Sequence, residues 1–209
     1  MSEAGFRGLW SRRQGWAIAA ALLAPLLCVP AARAQAAPEK GGHELEVWSS
    51  GGHSVSGGAS GIGVWDAGAR YGWILTGPHG PGLLRGNFEC AVGAVPVFLF
   101  FEPGRTVYGA SLEPLILQWN FEKHGRVVPY AQLSGGVLFT NHDFPTGIST
   151  VNFTPSAAAG VHLLGHKIHW SAELRYQHIS DAGLTTPNPG VNTIQGRIGI
   201  GWFSRGAKD

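Results

Sequence analysis

Charged residues are scarce in this 209-residue sequence, at 13% of the chain. Soluble domains carry roughly 25% charged residues, so a fully solvated surface is not expected. Cysteine is nearly absent too, and only Cys90 lies beyond the N-terminal apolar run, which excludes an internal disulfide after that run. No later apolar segment approaches the ~20 residues that a membrane-spanning helix needs. These absences exclude a disulfide scaffold and a helical membrane protein.

The first 34 residues have the layout of a secretory signal peptide. Three arginines precede an apolar run at 16–29, and Ala32-Arg33-Ala34 fits an A-x-A-like cleavage site. We expect residues 1–34 to be removed by the general secretory route, rather than the twin-arginine route, and 35–209 to form one domain. Removal of four Arg and one Glu changes the formal charge from +2 to −1, so no basic surface for nucleic acid remains.

Glycine and aromatic residues are abundant where charge is scarce. The chain contains 32 Gly and eight Trp. Low charge, many glycines and aromatics, a signal peptide and no spanning helix are together typical of a bacterial outer-membrane β-barrel. That class hides its hydrophobicity by alternating apolar and polar residues along each strand.

Eight extended segments can be traced through the chain. Their approximate bounds are 43–52, 61–76, 83–100, 106–121, 126–140, 150–164, 167–180 and 192–203. In the seventh, Trp170, Leu174 and Tyr176 share one face, and Glu173 and Arg175 share the other. This pattern predicts an all-β, eight-stranded antiparallel up-and-down transmembrane barrel. A soluble sandwich or lipocalin-like barrel would alternate in the same way, but the few charges on the polar face favour the membrane barrel.

The interior of an eight-stranded barrel is just wide enough to be filled by side chains. The candidates for this polar packing are Glu113, Gln118, Glu173, Arg175 and Arg197, and a transport pore is therefore disfavoured. Connections after the odd-numbered segments are on average longer, as expected for outer loops. With a periplasmic N-terminus, the seventh strand should then end on the outer side.

The end of the seventh segment carries a candidate catalytic pair. His178 and Ser180 are two residues apart, so they lie on the same face of a strand. They continue the apolar row of Tyr176 rather than the polar row. A His beside a Ser can act as base and nucleophile, and an apolar face suggests chemistry against lipid. The alternative is a strand end that grades into a polar turn.

This stretch resembles the signature of the lipid A 3-O-deacylase family, also known as acyloxyacyl hydrolases. The motif is His178-Ile179-Ser180-Asp181-Ala182-Gly183-Leu184, followed by Asn188-Pro189-Gly190, with less diagnostic similarity at 84–86 and 135–141. The resemblance implies an eight-stranded barrel in the bacterial outer membrane. It also implies hydrolysis of an ester-linked acyl chain of lipid A, with lipopolysaccharide as the membrane partner and no cofactor.

The same resemblance assigns roles to individual residues. It implies that Ser180 is the nucleophile and His178 its base. It further implies that Asn188, with backbone amides near Gly183, donates to the developing oxyanion.

Two positions depart from the family pattern. Asn192 stands where family enzymes have Glu, and Asp181 where they usually have Asn. Asn192 shares the face of His178, so its oxygen could fix the imidazole tautomer. It cannot supply a negative charge, and we expect slower chemistry or none. Asp181 would lie on the opposite face from His178 if the strand continued. It could replace the acid only if the loop turns its side chain toward His178.

Other readings stay open at this point. A non-catalytic barrel with a structural or lipid-binding role is the main rival to the hydrolase, and Asn192 is its best support. A metal site is disfavoured at the three histidines His162, His166 and His169, since His166 lies in a predicted turn. We interpret them as unrelated to one another. The sequence also leaves open whether the protein forms a homodimer.

Overall fold

The computed structural model describes residues 37–206, which fall within one compact unit. The predicted signal peptide at 1–34 lies outside the described residues. The strands are β1 (His43–Val55), β2 (Gly63–Ile74), β3 (Gly86–Glu102), β4 (Arg105–Phe121), β5 (Val127–Phe144), β6 (Ser149–Phe153), β7 (Ser156–Leu164), β8 (His169–Ile179) and β9 (Val191–Phe203). Among the described residues, no helix is long and apolar enough to cross a membrane.

The sheet closes on itself. Sequential strands pair in antiparallel fashion, and the β1–β9 pair completes the ring. β6 and β7 both pair with β5 in one continuous register, with Val137 opposite Phe153 and Ser134 opposite Ser156. They are therefore one wall strand interrupted at Thr154-Pro155, where proline removes a backbone donor. The barrel has eight wall strands, which confirms the predicted fold.

Side chains alternate between the two faces of the wall as predicted. Along β8, Leu174 and Tyr176 point outward and are exposed, while Glu173 and Arg175 point inward and are buried. A soluble barrel would bury the apolar row instead. The arrangement of apolar side chains outside and polar side chains inside is that of a membrane barrel.

Ion pairs fill the middle of the interior. The five residues predicted to lie there are all buried: Glu113, Gln118, Glu173, Arg175 and Arg197. Arg175 contacts Glu173 at 2.9 Å and Glu113 at 3.2 Å, and Arg197 contacts Glu173 at 3.6 Å. Buried charges need such partners because each loses several kcal/mol of hydration.

Apolar clusters close both ends of the interior. At the end that carries both termini, the terminal plug consists of Ile74, Val128, Leu164 and Phe203. The cluster at the opposite end includes Trp48, Phe98, Phe100, Phe144, Ile179 and Val191. Rings stack within it, with centroids 4.4 Å apart for Phe98–Phe100 and 3.8 Å apart for Phe100–Phe144. Side chains thus pack the lumen along its length.

The expected contrast in loop length is not present. The connections at 103–104 and 145–148 are short because β3, β4 and β5 extend further than predicted. At the end with the termini, the connection 75–85 is as long as the 180–190 loop that follows β8. Loop length therefore does not show which end of the barrel faces the cell exterior. The outer position of the 180–190 loop rests on the predicted periplasmic N-terminus.

Candidate active site

The end of β8 is held by two neighbouring strands. The His178 amide donates to the Pro155 carbonyl at 3.0 Å, in the break between β6 and β7. The Ser180 backbone pairs with Phe153, donating at 3.2 Å and accepting at 2.7 Å. His178 and Ser180 stay on the outward row, and each is half-buried. Their backbone is thus fixed within the wall, and both side chains lie on its outer side.

Three side chains form a continuous hydrogen-bonded chain. His178 lies directly opposite Asn192 in the β8–β9 ladder. Its Nδ1 is 2.6 Å from Asn192 Oδ1, and its Nε2 is 3.0 Å from Ser180 Oγ. An amide oxygen only accepts, so Nδ1 carries the proton and Nε2 accepts from the serine hydroxyl. This tautomer is the one that a general base needs to activate a serine.

The loop between β1 and β2 orients the Asn192 amide. Asn192 Nδ2 donates to the Ser56 carbonyl at 3.4 Å, which turns Oδ1 toward His178. Gly57 has a φ of +100°, and a Cβ there would lie 2.9 Å from Asn192 Nδ2. The absence of a side chain at Gly57 is therefore a condition for the observed amide position.

Gly190 packs against the imidazole itself. Its φ is +60°, and an added Cβ would lie 2.9 Å from His178 Cε1. Its carbonyl accepts from the Ala59 amide at 2.8 Å, which joins the site loop to the β1–β2 loop. The glycine of the Asn-Pro-Gly sequence thus lets the loop backbone approach the ring.

Asp181 organises the site loop and is not among the hydrogen-bond partners of His178. Its carboxylate is buried and accepts from the Gly183 amide at 3.0 Å and from the Asn188 side chain. Hydrogen bonds from the Thr185 side chain and the loop amides hold the pKa of Asp181 below its ordinary value. Within the described residues, the imidazole therefore bonds to Asn192 and not to the alternative acid.

The two predicted oxyanion donors are engaged by Asp181. Gly183 and Asn188 both direct N–H groups to its carboxylate, and Asn188 Oδ1 accepts from the Gly190 amide at 3.1 Å. They could serve an oxyanion only after releasing that carboxylate. Their oxyanion role stays a prediction.

Sequence reasoning missed the contribution of the β1–β2 loop. The Gly/Ser-rich sequence at 51–63 by itself predicts only a flexible loop, whereas in the structure Ser56 and Gly57 contact the amide of Asn192. The Gly57-Gly58 pair was the available signal, since paired glycines mark a close backbone approach. Barrel closure, which brings β1 beside β9, was needed to show its target.

An apolar groove lies on the outer wall next to His178 and Ser180. It is lined in part by Ala157, Leu174, Tyr176 and Ile194. Ala157, Tyr176 and Ile194 lie side by side on β7, β8 and β9, two residues below His178 on its own strand. The small alanine side chains leave a recess between larger neighbours.

Solved structures with this fold are bacterial outer-membrane barrels. The outer-membrane enzyme PagL superposes with a TM-score of 0.55 at 18% identity, covering 74% of this chain and 97% of that chain. OprG of Pseudomonas aeruginosa gives 0.53 at 11% identity, covering 83% and 100%. The N-terminal barrel of OprF from the same organism gives 0.52 at 15%, covering 78% and 98%. The chain is an outer-membrane β-barrel.

A family model narrows this class. The model of lipid A 3-O-deacylase (PagL) matches residues 98–201, which include the whole His-Ser-Asn chain. No curated protein sequence matches the chain. The chain belongs to the lipid A 3-O-deacylase family, as its motif indicated. Membership supports lipid A deacylase activity in the outer membrane.

Proposed function

We propose that this protein is an outer-membrane serine esterase that removes the 3-O-linked hydroxyacyl chain from lipid A. The observation that carries the proposal is the imidazole of His178, bonded at once to Asn192 Oδ1 and Ser180 Oγ. The three side chains lie on the lipid-facing side of the wall. With the predicted periplasmic N-terminus, they lie near the outer surface of the membrane. The ester bonds of lipid A lie at the same height, between the sugar headgroup and the acyl chains.

The reaction follows from the tautomer. His178 Nε2 takes the proton of Ser180 as Oγ attacks the ester carbonyl, and the sugar hydroxyl leaves with that proton. Water then attacks the acyl-enzyme with His178 again as base, which releases the fatty acid and regenerates the serine. Asn192 holds the ring in position, but its neutral amide adds no charge to stabilise the imidazolium.

The apolar groove supports a lipid substrate. Ala157 lies opposite Tyr176, which is two residues, or about 6.6 Å, from His178 along β8. The recess therefore begins close to the imidazole that bonds to Ser180 Oγ. An acyl chain lying between Tyr176 and Leu174 would present its ester to the serine from the membrane side. Small residues at the recess would admit the chain without displacing these neighbours.

A non-catalytic barrel is the second candidate. Asn192 favours it, because the family's acidic residue is absent at this position. Such a protein would bind lipid A through the same outer surface without cleaving it.

The test is mass spectrometry of lipid A incubated in detergent with the purified protein, Ser180→Ala and Ser60→Ala. Ser60 is an exposed serine of the β1–β2 loop and serves as the matched control. The proposal expects loss of one hydroxyacyl chain with wild type and Ser60→Ala, and intact lipid A with Ser180→Ala. Intact lipid A with all three proteins would favour the non-catalytic barrel, and Asn192→Glu would then show whether the missing acid alone is responsible.

A further inference from the structure

A second cluster of reactive groups lies inside the barrel, beside the terminal plug. It comprises Glu44 and Glu46 of β1, His162 of β7 and His169 of β8, all buried. One ligand atom from each residue lies within 4.8 Å of the others. His169 stacks on Phe203 of the plug, with ring centroids 4.4 Å apart. The cluster faces the lumen, so it is separate from the outward-facing serine.

Negative charge is in excess around this cluster. Among residues 37–206, the layer holds the carboxylates of Glu44, Glu46 and Glu89 but one guanidinium, that of Arg70. Arg70 Nη2 lies 2.7 Å from Glu44 Oε2 and 3.4 Å from Glu46 Oε2. A buried net charge is costly, and here either two protons or one divalent cation would restore neutrality.

Three buried atoms of the cluster lack a hydrogen bond within the described part of the chain: Glu44 Oε1, His162 Nδ1 and His169 Nδ1. The first two face each other across 3.8 Å. That separation is too long for a hydrogen bond. Four ligands at 2.0–2.1 Å around a tetrahedral metal are about 3.3 Å apart, so an ion between these atoms would satisfy both.

The remaining distances fit the same shell. His169 Nε2 lies 2.9 Å from Glu44 Oε1 and 3.4 Å from Glu46 Oε2. The arrangement presents two imidazoles and two carboxylates to one point. We propose that Glu44, Glu46, His162 and His169 bind a single zinc-class divalent metal ion, which ties β1, β7 and β8 together inside the barrel. The sequence had favoured unrelated histidines, and His166 takes no part.

Binding would require a tautomer change at both histidines. His169 Nε2, which donates to Glu46 Oε2 at 3.4 Å, must pass its proton to Nδ1, which has no partner among the described residues. Gln118 Nε2 lies 3.3 Å from His162 Nε2, an arrangement that puts the ring proton on Nδ1. A metal on Nδ1 displaces this proton to Nε2, and the Gln118 amide must then rotate to accept it. The terminal plug also seals the cluster from solvent. Both features predict that metal enters while the barrel folds rather than afterwards.

The experiment refolds the full mature chain into detergent with one equivalent of Zn²⁺ or Co²⁺ and removes loose metal with chelator. We expect one Zn²⁺ per chain by elemental analysis, tetrahedral Co²⁺ absorption bands and a raised Tm. The same metal added after folding should bind far more slowly. Less than a tenth of an equivalent in refolded wild type would overturn the proposal and leave protons as the neutralising charges.

Variants assign the ligands. His162→Gln with His169→Gln should abolish stoichiometric metal, whereas Glu173→Gln, a buried carboxylate outside the cluster, should retain it. Retention of metal in the double variant would also contradict the site. Because wild-type stoichiometry and the Co²⁺ spectrum decide the question alone, the test survives a variant that does not refold. It is also independent of the proposed esterase activity.

Discussion

At the scale of single residues, the site depends on a short list of close approaches. The period-two geometry of a strand was enough to predict that His178 and Ser180 share an outward face. It also placed Asn192 on that face, and the ladder then sets it opposite His178. The local bonds of Asp181 were not predictable, because they depend on loop backbone with positive φ at Ala182 and Gly183.

If the proposed mechanism holds, Gly190→Ala should slow the reaction without unfolding the barrel. The new Cβ would lie 2.9 Å from His178 Cε1 and displace the imidazole. We expect kcat for lipid A to fall about 100-fold, as for small misplacements of a catalytic group, with Tm little changed. Gly147→Ala is the control, because its φ is +84° but a Cβ there meets no atom within 4 Å. Equal loss in both variants would show a backbone effect rather than contact with the ring.

Asp181 should stabilise the site loop above acidic pH. A carboxyl whose pKa is lowered on folding contributes stability above its unfolded pKa, near 3.9, and loses it as pH falls through the folded value. We therefore expect stronger hydrogen-exchange protection of residues 181–190 in wild type than in Asp181→Asn at pH 6. The difference should shrink as pH falls below about 3.9 and through the lowered folded-state pKa. Parallel pH profiles for the two proteins would contradict this role.

At the scale of elements, the strand count was predictable and the details of the strand ends were not. All eight wall strands lie where alternation placed them. The sixth is broken at Thr154-Pro155, and that break supplies the Pro155 carbonyl that holds the His178 amide. β5 runs on to Phe144, beyond its predicted end. Its inward residues Leu138 and Phe144 pack into the apolar cluster at that end of the barrel, which stabilises the longer strand.

The β1–β2 loop should affect catalysis through the amide of Asn192. In Gly57→Ala the new Cβ would lie 2.9 Å from Asn192 Nδ2 and push the amide from His178. If the proposed mechanism holds, kcat should fall about 10- to 100-fold. Gly61→Ala is the control in the same loop, since its φ is +75° and its nearest neighbour, Pro103 Cγ, is 3.9 Å away. Unchanged kcat in Gly57→Ala would remove the loop from the mechanism.

At the scale of the whole molecule, the barrel is a closed wall with an apolar outside and a charged, plugged inside. Composition and alternation predicted the wall. They could not predict the terminal plug or the approach of His162 to Glu44, since contacts across the lumen depend on closure and shear. The contacts of His162 and His169 were therefore not predictable from the sequence.

The outer face should tolerate charge poorly. Ile198 lies near the middle of β9 and is 65% exposed on the outward row. Ile198→Arg should lower the free energy of unfolding in lipid bilayers by about 2–4 kcal/mol, as for arginine near the bilayer midplane. Leu83→Arg, at an exposed apolar residue outside the wall, should have little effect in the same urea titration. Equal stability of both variants would argue against a lipid-facing β9.

The proposed catalytic chain is tested most directly by asking whether Ser180 is an activated nucleophile. A lipophilic p-nitrophenyl phosphonate should form an Oγ–P bond with release of p-nitrophenolate, and His178 should take the hydroxyl proton. Peptide mass spectrometry of the labelled protein should find one adduct, at Ser180, with labelling at least 100-fold slower in His178→Gln. No adduct at Ser180, or equal labelling without the imidazole, would contradict the proposed catalytic chain.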